Sequence, residues 1–134
     1  MPRLSVWFVR LSLVHLFIGL TCGALILANK GIPFAPWAWN LLAAHMDALL
    51  LGWMAQSGMG VAFWIFPRFV KGAPRGNTWL GWLTLALTNL GIVLAGLQPF
   101  VRAGWFLPAG RMLEASSILL FIALLWKRAR PLQA

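Results

Sequence analysis

Four apolar stretches constrain this chain more than any other feature. They cover about residues 4–28, 37–66, 78–97 and 109–126. A hydrocarbon core about 30 Å thick is crossed by roughly 20 apolar residues at a helical rise of about 1.5 Å each. Lipid offers no hydrogen bonds, so a lone spanning segment must satisfy its own backbone, and a helix does so. The breaks between stretches are rich in residues that stop helices. Gly31-Ile32-Pro33-Phe34-Ala35-Pro36 separates the first two, Pro67 to Asn77 the next two, and Gln98-Pro99 with Leu107-Pro108 bracket the last gap. The expectation is an all-α membrane protein, one domain over residues 1–134, folded as a bundle of four transmembrane helices. Residues 4–28 read as the first span and not as a cleaved signal, because their apolar run exceeds a typical signal core. Composition agrees: 61% of residues are hydrophobic and 10% charged.

The charges predict an orientation. Arg3, Arg10, Arg68, Lys71, Arg75, Lys127, Arg128 and Arg130 fall on one side of the spans. Only Lys30, Arg102 and Arg111 fall on the other. Eight against three places both termini in the cytoplasm under the positive-inside rule, with a bacterial cytoplasmic (inner) membrane as the expected location. A net charge of +9 is then explained by topology and anionic lipid headgroups, so no nucleic-acid partner is expected. Eight of the nine tryptophans lie near span ends, as in an interfacial belt, and Trp53 is mid-span. Cys22 is the sole cysteine, which excludes an intrachain disulfide and any cluster built on several cysteines.

Chemistry must come from a short list of side chains, because the chain holds two histidines and two acids. An ionisable residue at membrane depth is costly and points to a site. His45 lies inside the second stretch, about 12 Å from Trp37 at helical rise. At about 100° per residue, Ala44, Ala48, Gly52 and Ala55 form a stripe of small residues, with Met59 within it and His45 and Gln56 along its margin. Asp47 falls roughly 200° round from His45, so the two are not a ready acid–base pair. On the first helix His15 shares a face with Leu11, Ser12, Gly19, Cys22 and Ile26, and lies about 19 Å from Ala28. The depth mismatch between the histidines, about 7 Å, is awkward for two ligands of one flat cofactor. On the fourth helix Glu114 sits one turn after Arg111, within reach of an ion pair.

The run His45-Met46-Asp47-Ala48-Leu49-Leu50-Leu51-Gly52-Trp53 is followed by Gly58-Met59-Gly60-Val61-Ala62-Phe63-Trp64 and Ile65-Phe66-Pro67-Arg68. It resembles the second helix of the heme-copper oxidase catalytic subunit. In that family the helix opens with a histidine that binds the low-spin heme from the outer side, and the resemblance maps that role onto His45 alone. The family's large subunit has three four-helix arcs, and this chain looks like one arc, helices one to four, standing alone. It departs from the family by lacking the copper-site histidines and any tyrosine. Oxygen reduction by this chain is therefore not expected, and no enzymatic activity is assigned.

Three functions follow as expectations. The first is a membrane protein binding b-type heme for electron transfer, heme handling or gas sensing. His45 is its axial ligand, His15 the second iron ligand, and Arg102 and Arg111 the cations for the propionates. A homo-oligomer, a trimer by analogy with the three arcs, would place hemes between subunits. The second is a cofactor-free accessory subunit of a respiratory membrane complex, packed through its small-residue faces. The third is a quinone or proton site built from His45, Asp47 and Glu114.

Overall fold

The computed structural model describes residues 1–67, 75–101, 104–126 and 128–129. Among them every regular element is helical. Helix α1 is Arg3–Gly31, α2 is Pro36–Ile65, α3 is Thr78–Val101 and α4 is Phe106–Trp126, and each is long and apolar enough to cross a membrane. Three boundaries differ from the sequence expectation by three residues or more, and the first is the end of α1, which runs on to Gly31. Helix α3 continues through Gln98-Pro99 to Val101, with Pro99 in its last turns. Helix α4 begins at Phe106 and carries Pro108 in its first turn, where a missing N–H leaves no helical bond unmade. Arg111 lies within α4, as the expected span of 109–126 has it.

Helix α1 packs along α2, α3 packs along α4, and α2 meets α3 where Ala44 lies against Gly96. The apolar core occupies one half of the bundle, the half that carries the N-terminus. It comprises Leu4 and Phe8 of α1, Met59 and Phe63 of α2, Leu85 of α3, and Phe121, Leu124 and Leu125 of α4. Phe8 and Phe63 are fully buried, and the Phe8 and Phe121 rings pack at 6.1 Å between centroids, tilted by 59°. All nine tryptophans lie on the outside of the bundle. The close fit of these rings holds this half together by van der Waals packing.

Helix α2 is not uniform. It opens as a 3-10 turn over Pro36–Asn40, runs as α-helix over Leu41–Asp47, widens to a π-helix over Ala48–Ala55 and returns to α-helix over Gln56–Ile65. Widening changes which residues share a face. Fifteen residues at about 100° would leave Gly60 about 60° round from His45. The wide turns absorb that drift, and His45, Ala48, Gly52, Gln56 and Gly60 all meet α1. The expected stripe is therefore replaced: Ala44 turns to α3, and His45 and Gln56 move from its margin into the contact face. A π-segment inside an α-helix recurs at functional sites.

Side chains close both ends. Asn29 Oδ1 accepts hydrogen bonds from the backbone N–H groups of Phe34 and Ala35, at 3.1 and 2.8 Å, and so shapes the α1–α2 loop. At the core end Arg128 donates to the carbonyls of Pro67, Phe66 and Phe63 at 2.9, 2.7 and 3.1 Å, with its guanidinium 5.1 Å from the centre of the Phe63 ring. These are the orphan carbonyls at the C-terminus of α2, where a cation also meets the negative end of the helix dipole. Burial, reinforced by Arg75, pulls the Arg128 guanidinium below its ordinary value, but an arginine there still keeps its charge.

Candidate functional site

The two histidines sit in one interface but in different environments. His45, on α2, places Nδ1 2.8 Å from the Gly19 carbonyl of α1. A carbonyl only accepts, so Nδ1 carries a proton, and Nε2 is the nitrogen left to act as a ligand. The ring lies against Gly23, where any Cβ would fall 2.7 Å from Cε1, so a glycine is what admits it. His15, on α1, places Nδ1 3.0 Å from the Leu11 carbonyl of its own helix, and its ring covers Gly52 too closely for any side chain there. His15 is buried and His45 half-buried.

The packing register settles the depth question left by the sequence. His15 lies opposite Gly52 and His45 opposite Gly23. Eight residues of α1, an α-helix throughout, separate His15 from Gly23, about 12 Å at helical rise. The structure therefore does not bring His15 and His45 to a common iron within one chain. The physical reason is the register of α1 on α2, in which each imidazole fills the notch of a glycine on the facing helix.

His45 faces a shallow groove of about 280 Å³, lined also by Gly23, Ile26, Leu27, Lys30, Trp39 and Leu42. That volume is at the small end for ligand sites, which run from about 300 to 1,000 Å³. Leu27, Trp39 and Leu42 are exposed, so the groove opens on the outside of the bundle. Lys30 is the cation at this site. Arg111, the cation expected from sequence, lies elsewhere, and Arg102 is outside the described residues. The sequence signal for Lys30 is its place at the end of α1, seven, four and three residues after Gly23, Ile26 and Leu27, which share its face of the helix.

Arg111 instead joins the two acids. Its Nη1 and Nη2 reach Asp47 Oδ1 and Oδ2 at 2.9 and 3.1 Å, and Nη1 also reaches Glu114 Oε2 at 2.8 Å. The expected pairing of Arg111 with Glu114 is present. The Asp47 pair across α2 and α4 was not anticipated, because 64 residues separate the partners. The Asp47 and Glu114 side chains are 8% and 6% exposed, whereas Arg111 is 45% exposed. Arg111 and Asp47 edge a second groove of about 740 Å³, otherwise lined mostly by apolar residues that include Trp39, Met46, Leu50 and Pro99. Asp47 and His45 point to opposite helices, Asp47 to α4 and His45 to α1. No acid–base pair forms between them.

A layer of neutral hydrogen bonds lies between these ionic groups and the apolar core. Gln56 donates to the Phe8 carbonyl at 3.3 Å and accepts from Asn89 at 3.1 Å, which ties α1, α2 and α3. Thr88 donates to Ser117 at 2.9 Å, which ties α3 to α4. Gln56, fully buried and bonded on both sides, is a structural crosslink and not a ligand group. Among the described residues no cluster of three or more His, Cys, Asp or Glu side chains is arranged to hold a metal ion. Comparison with protein-family models, with curated proteins and with solved structures finds no match to this chain.

Proposed function

We propose that this protein is an integral membrane b-type heme protein, with His45 as axial ligand and electron transfer or heme and gas handling as its role. The observation that carries the reading is the 2.8 Å bond from His45 Nδ1 to the Gly19 carbonyl. Locking one ring nitrogen to a carbonyl fixes the tautomer and orients the other as a metal ligand. The donor therefore fits an iron. The groove supplies apolar walls from Ile26, Leu27 and Leu42, and Lys30 as a cation for a propionate.

The groove is too small to enclose a porphyrin by itself, and His15 is committed to Gly52. The reading accordingly needs a second copy of the chain, whose own His45 or exposed wall completes the opposite face of the heme. In the membrane both termini face the cytoplasm, as the distribution of arginine and lysine favours. A bound heme would supply one-electron redox chemistry. The chain's residues hold it, exclude water and balance its propionate charge.

Substitution of His45 separates this from a cofactor-free accessory role. His45→Ala should leave the protein in the membrane and abolish heme binding, while His15→Ala should retain it. Full heme content in the His45 variant would reject the assignment. A wild-type protein that takes up no heme would favour the accessory subunit.

A further inference from the structure

We propose that the Asp47–Arg111–Glu114 cluster is a proton-binding site in which Glu114 holds a proton at neutral pH. The inference does not depend on a cofactor at His45. With both acids ionised, two negative charges would face one guanidinium, leaving one uncompensated charge on nearly buried carboxylates. A charge buried without a partner is far more costly than a neutral acid, and the usual remedy is a proton.

The geometry says which acid takes it. Arg111 grips both oxygens of Asp47 but only Oε2 of Glu114. Glu114 Oε1 is buried and has no hydrogen-bond partner among the described residues. A proton on Oε1 removes the surplus charge at the one oxygen that no donor reaches, and leaves Oε2 as the acceptor of Arg111. Among the described residues no other ionisable group compensates. The carboxyl stem lies against Gly91 of α3, and α3 carries no titratable side chain from Thr78 to Val101. Helix α2 contributes Asp47, while His45 turns to α1. Helix α4 contributes only Arg111 near this acid.

The Arg111 side chain is 45% exposed at the edge of the 740 Å³ groove, so the cation that faces both acids is itself open to the outside. The ligand of the site is a proton, taken up or released as the charge around the cluster changes.

The sequence makes the test unusually direct, because Asp47 and Glu114 are its only acidic side chains. Infrared spectra of the full chain in lipid nanodiscs should show the C=O stretch of a protonated carboxyl at neutral pH. In wild-type protein made with carbon-13 glutamate that band should shift, and with carbon-13 aspartate it should not. Labelling needs no mutation, so misfolding does not confuse it. In Glu114→Gln, which keeps an acceptor for Arg111, the band should disappear. Absence of any protonated carboxyl band at neutral pH, or a band that follows labelled aspartate, would overturn the proposal.

Discussion

The two halves of this bundle are each fastened by an arginine, and the two arginines do different work. Arg128, at the apolar end, is 3% exposed and spends its bonds on three backbone carbonyls that end α2. Arg111, at the other end, is half-exposed and bridges two buried carboxyl groups beside an open groove. The apolar end is packed around Phe8, Phe63 and Phe121, with the Arg128 guanidinium over the Phe63 ring and a groove of about 460 Å³ edged by Arg3, Arg75 and Phe63 beside it. The opposite end concentrates His45, Lys30, Asp47, Arg111 and Glu114, with two grooves between them. These ionisable groups thus lie in the half of the bundle away from the packed phenylalanines.

Four changes test that comparison. Phe63→Ala should have the largest effect on stability, about 3–5 kcal/mol, because it empties a fully buried site in the core. Reversible unfolding in mixed micelles measures it, and heme binding at His45 should survive under conditions where the variant stays folded. A loss of the same size at a groove residue such as Leu42 would erase the distinction between the halves. Arg111→Met should cost about 3 kcal/mol, at the low end for breaking a buried pair because the guanidinium itself is half-exposed. Arg128→Met, which strands carbonyls and not charges, should cost less, about 2 kcal/mol by the same assay. Equal losses would mean that the carboxylates are not the sensitive element. Gly52→Ala should cost about 2 kcal/mol by forcing the His15 ring aside, and His15→Ala in the same chain should restore part of that loss. A strictly additive double variant would show that the ring and the glycine are not coupled.

Much of the frame was legible in the sequence. Apolar length and proline-rich breaks located all four helices, and the i,i+3 spacing gave the Arg111–Glu114 pair. Prolines misled at two boundaries, since Pro99 falls near a helix end and Pro108 in a first turn, where a helix accommodates them. The π-turns of α2 were not legible, because Ala48–Ala55 is apolar throughout and carries no local signal of a wider turn. That segment decides the contact face, so the stripe drawn on an ideal helix was displaced. The histidines were found as candidates, but their partners were not. Whether His15 and His45 share a level depends on the register of α1 on α2, which the glycine notches set and periodicity within one helix does not contain. Asp47–Arg111 was missed for a related reason, since only the docking of α4 on α2 brings the two together.

The central claim is that His45 presents a free Nε2 to an iron held between copies of the chain. The most direct test is a reduced-minus-oxidised absorption spectrum of the purified protein in mild detergent, with heme extracted and counted per chain. The account predicts low-spin b-type bands, one heme shared between two chains or a fixed heme content per oligomer, and loss of both in His45→Ala. A colourless protein from cells supplied with heme, or bands that persist unchanged without His45, would contradict it.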